Sequence, residues 1–140
     1  SNGWANWRGD SPAKLRERLD WPAEGMCFDI ANGVFWLEGW GTKPPDCEDA
    51  CRLARIRVAE APVLIPIYSH LYLPSEPRCS GNPVFSVYQT DIIHYGHDLA
   101  DYFSNEFRAD PQALPGWHIP RPSWAATEPR PIRFWDALVQ

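Results

Sequence analysis

The clearest pattern of apolar positions lies between residues 62 and 107, where two strand patterns precede a helical one. The segment VLIPI predicts a buried strand, and Pro66 within it has no N–H group, so this strand must lie at a sheet edge or contain a bulge. From Val84 to Gln89 the side chains alternate between two faces, and Thr90-Asp91 permits a turn into IIHY. The alternation predicts two adjacent strands that pair with each other.

Two helices are predicted from apolar residues at helical spacing. Asp46 is a plausible cap for CEDACRLARIRVAEA, whose small and apolar residues repeat over about four turns. Leu99, Tyr102 and Phe103 recur in the same way after Asp98, a residue that suits the start of a helix because of the helix dipole. We expect this second helix to pack on the sheet, with Phe103 on its buried face.

A short helix and a hairpin are predicted before residue 43. Ser11 is a suitable cap, and AKLRERL places Leu15 and Leu19 on one side of a helix. We expect this helix to end at Asp20-Trp21-Pro22, because the residue before a proline avoids the helical region. MCFDIANGVFWLEGW then predicts two short strands around an Asn32-Gly33 turn.

Two other segments have no steady period. YSHLYLPSEPRCSGN contains several turn-forming residues and predicts a surface loop between two strands. Pro111 to Pro131 predicts an irregular strap pinned by Trp117 and Trp124, and FWDALV predicts a short closing helix. The expected fold is therefore a single α+β domain over residues 1–140, with its core at about 20–107 and the strap and closing helix at 111–140. Its small, mainly antiparallel sheet would pack against helices.

In order and character, residues 20 to 107 resemble a SUKH (SMI1/KNR4-like) domain. The matching pieces are the LIPI strand, PVFSVYQTD with its acidic end at Asp91, and the helix DLADYFSNEF. Earlier, DWPAEGMCFDIANGVFW and the pair Trp40-Gly41 are similar to the entry to the sheet in that family. Two segments depart from the family pattern: YSHLYLPSEPRCSGN replaces its usual Gly-rich turn, and the tail after Asp110 is rich in Pro and Trp.

The SUKH family includes many bacterial immunity proteins of contact-dependent and polymorphic toxin systems. The resemblance implies a protein that binds and neutralises a cognate toxin domain in the cytoplasm, with no catalytic residues and no cofactor. A regulatory or scaffolding protein of the same fold is the alternative.

Polar and aromatic residues near predicted strand ends and turns form the expected binding surface. Side chains at such positions can be presented to a partner, and tyrosines are frequent interface anchors. The acidic stretch near Glu48 would speed association with a basic toxin domain. The expected partner-binding residues are Tyr68, His70, Tyr72, Gln89, Asp91 and Glu48.

Length and charge restrict the remaining possibilities. A chain of 140 residues suits one domain with one core. The net charge of -5 and the lack of a basic stripe argue against a nucleic-acid partner. No run of about 18 apolar residues is present, and SNGWANWRG lacks the apolar core of a signal peptide. We therefore expect no membrane segment and a cytoplasmic location.

Metal binding and catalysis are weaker alternatives. Asp91, His94, His97 and Asp98 could hold a divalent metal or move protons, which would make the chain a small metal-dependent enzyme. Strand alternation, however, would point Asp91 and His94 to opposite faces, so we expect no metal site there. His70 follows Ser69, but the GxSxG turn that exposes a nucleophilic serine is missing.

The cysteines and tryptophans leave two further possibilities. Cys47 and Cys51 are four residues apart on a predicted helix and could hold a metal, but no matching Cys/His pair follows, so we expect free thiols. Eight tryptophans raise a carbohydrate-binding alternative, because flat aromatic rings stack on sugars. The candidates, which lie in irregular segments, are Trp4, Trp7, Trp117 and Trp124. Those expected to fill the core are Trp21, Trp36, Trp40 and Trp135.

Overall fold

The computed structural model describes residues 3–107 and 121–140. These residues form three helices and four strands, with short 3-10 turns at Glu38–Trp40 and Trp135–Leu138. The helices are α1 (Pro12–Ala31), α2 (Cys47–Ala59) and α3 (Leu99–Glu106), and the strands are β1 (Leu64–Tyr68), β2 (Leu71–Pro74), β3 (Val84–Tyr88) and β4 (Asp91–Gly96). The strands form one antiparallel sheet in the order β1-β2-β3-β4. The α+β class is therefore confirmed.

Several predicted elements are confirmed together with the local reason for each. Helix α2 begins after Asp46, whose carboxylate accepts the N–H of Glu48 over 2.8 Å. Helix α3 begins after Asp98, which accepts the N–H of Asp101 over 2.7 Å. Strand β1 is an edge strand, and its pairing register shifts just after Pro66. Both ways of accommodating a strand proline are thus used at once.

The predicted hairpin around Asn32-Gly33 is wrong, because α1 continues through Pro22 to Ala31. Asn32 ends the helix by donating its N–H to the carbonyl of Phe28 over 3.1 Å. Gly33 follows with φ 73°, a conformation that glycine adopts without strain. Apolar residues near Met26 therefore follow a helical period, which a short window does not distinguish from strand alternation.

Pro22 removes one hydrogen bond from α1, and a tyrosine of the sheet replaces it. Proline has no N–H, so the carbonyl of Arg18, four residues earlier, loses its helical donor. The hydroxyl of Tyr72 donates to this carbonyl over 3.1 Å, and the tyrosine is only 2% exposed. Burial raises the pKa of Tyr72 to about 12, so the hydroxyl keeps its proton at neutral pH. A donor from a distant strand thus allows the helix to pass the proline.

The predicted loop YSHLYLPSEPRCSGN is also partly wrong, because it contains strand β2. Ser69 and His70 form the tight turn from β1, and Ser69 has φ 49°. Strand β2 then pairs with both β1 and β3, which buries Leu71 and Tyr72. The serine and proline residues that predict a loop flank a strand of only four residues.

The core lies on both faces of the sheet. Adjacent residues of β2 and β3 belong to different apolar clusters, with Tyr72 and Phe85 facing α1 and α2, and Leu71 and Val84 facing α3. Tyr102 fills the second cluster with 0% exposure, whereas Phe103, the residue predicted to be buried, is only partly covered. The helix was therefore predicted correctly, but its buried face is centred on Tyr102 rather than on Phe103.

The segments at either end of the described chain pack along the two outer strands. Ala5 donates its N–H to Ile67 of β1 over 3.1 Å, and Gln140 donates to Ile92 of β4 over 3.1 Å. The closing turn after Phe134 places Trp135 in the core, where its indole N–H bonds the carbonyl of Pro62 over 2.7 Å. None of the described helices is long and apolar enough to cross a membrane.

The first part of the predicted strap, residues 111–120 with Trp117, lies outside the described residues. Within the part that is described, Trp124 is 76% exposed and does not pin the chain to the core. Ala125 is buried instead, and the N–H of Ala126 donates to the carboxylate of Asp98 over 2.7 Å. This end of the strap is therefore held by a backbone hydrogen bond and a small side chain.

Helix α1 is also held closely against the turn between β3 and β4. Thr90 donates its N–H and its hydroxyl to one carboxylate oxygen of Asp29, over 3.0 and 2.5 Å. A Cβ atom added to Gly25 would lie 2.8 Å from the Cα of Gln89. Only glycine allows the helix and the turn to approach this closely.

We expect Tyr72→Phe to lower the free energy of unfolding by about 1 to 3 kcal/mol, because the Arg18 carbonyl is left without a donor. Pro22→Ala restores a backbone N–H at the right place in the helix. The loss caused by Tyr72→Phe should therefore be smaller in the Pro22→Ala background. Denaturant titration of the four proteins measures this coupling. Equal losses in the two backgrounds would show that the tyrosine does not replace the missing helical donor.

We expect Gly25→Ala to destabilise the domain by about 1 to 3 kcal/mol, since the new methyl group meets the backbone of Gln89. Alanine is ordinarily the better helix former, so the sign of the effect is informative. Gly39→Ala is the control, because nothing lies within 4 Å of a Cβ at that position. Thermal unfolding of both variants provides the comparison, and a stabilised Gly25→Ala protein would contradict the close contact.

Candidate functional site

A cleft of about 430 Å³ opens between the first half of α1 and the sheet. Strands β1 and β3 run in the same direction, so the turns that follow them lie at the same end of the sheet. The volume is within the range of small-ligand pockets, about 300 to 1,000 Å³. The lining residues are Lys14, Glu17, Arg18, Trp21, Ser69, His70, Tyr72 and Tyr88.

Helix α1 supplies four of these side chains from one face. Lys14, Arg18 and Trp21 are separated by four and three residues, the spacing of neighbours on a helix surface, and Glu17 lies among them. Trp21 immediately precedes Pro22 and is helical, although a residue before proline ordinarily avoids the helical region. Trp21 was expected in the core, but 46% of its surface is exposed.

The two cations of the cleft are already engaged by the protein. Lys14 lies 2.5 Å from the carboxylate of Asp10, and this hydrogen bond is the main cause of the lowered pKa of Asp10. Arg18 donates through Nη2 to the carbonyl of Gly3 over 2.9 Å. Its Nη1 atom is covered from solvent and has no hydrogen-bond partner among the described residues. Neither cation is therefore a fully solvated charge.

The sheet supplies the opposite wall. His70 and Tyr88 come from the ends of different strand pairs, and their rings meet edge to face with centroids 6.2 Å apart. The hydroxyl of Ser69 lies 3.1 Å from Nδ1 of His70. Tyr88 is 60% exposed, so its ring is available at the mouth of the cleft. The site thus has aromatic rings on both walls.

The predicted binding residues are distributed unevenly around this cleft. His70 lines it with a half-buried ring, whereas Tyr68 packs against the cluster of Leu71, Val84 and Tyr102 on the α3 face of the sheet, with its ring centroid 5.1 Å from that of Trp4. Gln89 has φ 57° in the β3–β4 turn and lies against α1, and Asp91 is exposed at the start of β4. These four residues lie at the same end of the sheet.

Tyr72 was predicted as an exposed anchor, and this prediction is wrong. It lies on the inner strand β2 rather than on a loop. It lines the floor of the cleft, but its side chain is buried. Its hydroxyl is committed to the Arg18 carbonyl. Removing this side chain would therefore disturb the fold before it tested any binding surface.

Glu48 does not lie beside the other predicted residues. Helix α2 runs antiparallel to α1, because Arg55 pairs with Glu24 at 2.8 Å and the thiol of Cys51 bonds the Cys27 carbonyl at 3.6 Å. Glu48, in the first turn of α2, therefore lies near the C-terminal end of α1. At about 1.5 Å per helical residue, this is roughly 20 Å along α1 from Arg18.

Sequence reasoning did not find Glu17, Trp21 or Tyr88 as site residues. Trp21 was assigned to the core because it lies among apolar residues, and the helix was expected to stop there. The sequence signal for Glu17 and Trp21 was their helical spacing, which places both on one polar face of α1. That face forms a site only together with the turns of the sheet that lie opposite it. Tyr88 was predicted to lie on the same face of its strand as Val84, but it was not predicted to contact a partner.

The residues considered for metal or acid–base chemistry have structural partners. Asp98 caps α3 and receives the N–H of Ala126, and His94 lies 3.4 Å from Asp136. Asp91 is exposed and apart from these groups. Among residues 3–107 and 121–140, no three potential ligands are grouped to hold a metal. Within the same residues, no carboxylate bonds His70, so its contact with Ser69 lacks an orienting acid.

Of the two cysteines of α2, Cys51 contributes to helix packing. The thiols of Cys27 and Cys51 donate to each other's carbonyls across the contact between α1 and α2, over 3.8 and 3.6 Å. Burial is the main cause of the raised pKa of Cys51, which keeps its thiol protonated. Cys47 is exposed, and all four cysteines are free.

The tryptophans considered for sugar binding do not form one surface. Trp4 and Trp7 are exposed on the segment that leads into α1, whereas Trp124 is exposed near Asp98, at the opposite end of the sheet. Of the four expected in the core, Trp135 is buried. Trp36 and Trp40 are partly buried against the core cluster that contains Trp135. A single sugar platform built from the predicted residues is therefore not present in the described part of the chain.

Asp101 is expected to make the fold less stable in acid. Burial alone would raise its pKa, but hydrogen bonds from the His97 N–H and the Arg121 guanidinium, both at 2.9 Å, outweigh it and lower the pKa. A lowered folded pKa contributes stability that is complete above the unfolded value of about 3.9 and is lost as the pH falls through the folded value.

Arg121→Ala should therefore reduce the loss of stability between about pH 5 and pH 2, because Asp101 then has a more ordinary pKa. Arg130→Ala is the matched control, since Arg130 bonds the amide of Asn82 rather than a carboxylate. Denaturant titrations across this pH range compare the slopes. An unchanged slope in Arg121→Ala would contradict the assigned ion pair.

Comparison with protein-family models, with curated proteins and with solved structures gives no match to this chain. The resemblance to the SUKH family therefore rests on the sequence pattern described above and stays a prediction.

Proposed function

We propose that this chain is a non-catalytic protein-binding domain of the SUKH immunity type, which neutralises a cognate bacterial toxin domain in the cytoplasm. The observation that supports the proposal best is the cleft with exposed aromatic rings on both walls, Trp21 on the helix and Tyr88 on the sheet. Large exposed aromatic side chains beside a concavity are typical of binding sites. The toxin would cover this end of the sheet.

The cleft walls are held in place before any partner arrives. The turn that follows Tyr88 is fixed to α1 through Asp29 and Thr90, and His70 is part of the tight turn between β1 and β2. Side chains that are already ordered lose little entropy on binding. A small rigid surface can therefore reach the affinity that inhibition of a toxin requires.

The charge of the chain supports a basic partner. The net charge is -5, and the acidic residues around Glu48 are exposed on α2, away from the cleft. Charges outside the contact area accelerate association with an oppositely charged protein without adding much affinity. Glu48 would then act on the association rate, while the cleft provides the anchoring contacts.

The direct test starts from the genes beside the one that encodes this protein, where the proposal expects a gene for a toxin-like domain. Bacteria that express this domain in the cytoplasm should stop growing, and expression of the present chain should restore growth. Binding of the two purified proteins without recovery of growth would favour the regulatory or scaffolding alternative. Neither binding nor recovery would reject the proposal.

We expect Trp21→Ala to weaken binding of the toxin domain by about 2 kcal/mol, or roughly 30-fold in Kd, because the indole is an exposed anchor in the cleft. Trp124→Ala removes an even more exposed tryptophan at the other end of the sheet and should change Kd by less than about twofold. Isothermal titration calorimetry measures both, and thermal unfolding checks that each variant is folded. Equal effects of the two substitutions would place the contact outside the cleft.

A further inference from the structure

Arg18 lines the cleft with a cation that has no acidic partner in the described part of the chain. Its guanidinium donates through Nη2 to a neutral acceptor, the carbonyl of Gly3, over 2.9 Å. Nη1 is covered from solvent and has no hydrogen-bond partner among the described residues. A covered charge without a counter-ion is unfavourable, and a ligand of opposite charge removes this cost. The unused N–H groups of Arg18 therefore favour an anion.

The other charges near the cleft do not compensate Arg18. Lys14 lies 2.5 Å from one carboxylate oxygen of Asp10, and the other oxygen accepts the N–H of Asn6 over 3.2 Å. Glu17 lines the cleft but is exposed, and among residues 3–107 and 121–140 it forms no ion pair with Arg18. Solvent screens an exposed charge more strongly than a covered one. The cleft is therefore suited to a single negative charge at Arg18.

Ser69 and His70 add a hydrogen-bond donor on the opposite wall. The serine hydroxyl lies 3.1 Å from Nδ1 of the imidazole ring. If Nδ1 carries the ring proton, it donates to the hydroxyl oxygen and the serine O–H is left over. If Nδ1 carries no proton, it accepts the serine O–H, and the N–H at Nε2 is left over. Either arrangement leaves one donor for a ligand.

A carboxylate fits these groups better than a phosphate. A guanidinium pairs with a carboxylate through two parallel N–H···O bonds, and the pair has no net charge. A phosphate group carries a charge of about -1.5 to -2 at neutral pH, more than one cation beside Glu17 compensates.

The position of Nη1 favours a long acidic side chain. Because Nη1 is covered, the guanidinium has to turn toward an acceptor in the cleft, and such changes of rotamer are common at interfaces. Glutamate reaches one methylene group further than aspartate, and its apolar stem can pack on the exposed ring of Trp21. The cleft volume of about 430 Å³ accommodates such a side chain with part of its backbone.

We infer that the cleft receives a glutamate side chain of the partner, whose carboxylate pairs with the Arg18 guanidinium and whose stem packs on the Trp21 ring. This inference rests on the proposed function for the identity of the partner, but the chemistry of the cleft is independent of it. A basic partner can carry this one acidic residue, because net charge acts on the approach and the pair acts at contact. Arg18 is then a specificity-determining residue.

Three small probes test the cleft without the toxin. The α-amide of N-acetyl-glutamate carries a side-chain carboxylate, N-acetyl-glutaminamide replaces it with a neutral amide of the same shape, and N-acetyl-alanine carries only a terminal carboxylate. Backbone NMR shifts of Trp21, Ser69 and Tyr88 should move saturably with the glutamate probe and much less with the other two. Arg18→Gln should weaken binding of the glutamate probe at least about fivefold. Arg16→Gln makes the same change of charge on α1 but in a different groove, and it should leave the affinity within about twofold.

Glu17→Gln gives a second variant whose effect has the opposite sign. It removes the negative charge that lines the cleft, so the glutamate probe should bind about twofold more tightly at about 0.01 M salt, where screening extends over about 30 Å. The side chain is exposed, so thermal unfolding should not change. This variant keeps the test valid even if Arg18→Gln, which also loses the bond to Gly3, does not fold.

The toxin domain provides the second arm of the experiment. A folded Arg18→Gln protein should bind it at least about tenfold more weakly, and Arg16→Gln should change its affinity by less than about twofold. The inference would be overturned by equal shifts with the glutamate and glutamine probes, by tighter binding of N-acetyl-alanine, by a Glu17→Gln protein that does not bind the glutamate probe more tightly, or by an unchanged toxin affinity in Arg18→Gln. Complete absence of toxin binding, with the probes still distinguished, would reject the proposed function and leave the glutamate site standing.

Discussion

The hydrogen bond from Tyr72 to the carbonyl of Arg18 is the interaction on which the rest of the structure depends. It supplies the donor that Pro22 removes, so α1 passes the proline as one helix of 20 residues. Residues before the proline form a wall of the cleft, and residues after it bind the β3–β4 turn. A helix that ended at Pro22 would leave the turn without the contacts of Gly25 and Asp29.

The same helix couples the two turns that carry the aromatic rings. Gly25 and Asp29 hold the β3–β4 turn, while Arg18 is joined to the segment at Gly3, which receives the N–H of Ser69 from the β1–β2 turn over 3.2 Å. Both turns are therefore joined to α1, in addition to the contact that the His70 and Tyr88 rings make with each other. This explains how short strands support an ordered surface at their ends.

The sequence predicted those elements whose signals are local. Helices α2 and α3 have a capping aspartate followed by periodic apolar residues, and β3 alternates over its whole length, so each was found. The length of α1 depends on the contact between Arg18 and Tyr72, which lie 54 positions apart, and β2 depends on its pairing with β1 and β3. His70 was predicted as a site residue because it lies near a predicted strand end. Trp21 was not, because a cleft between two distant segments has no local sequence pattern.

The position of Glu48 limits what its charge could do in the proposed function. Interactions between exposed charges are screened over about 8 Å at physiological ionic strength, and Glu48 lies roughly 20 Å along α1 from the cleft. If the proposed toxin domain is basic, Glu48 would bias its approach but contribute little once the complex has formed. Affinity and association rate would then depend on different parts of the surface, the affinity on the cleft and the rate on the acidic residues of α2.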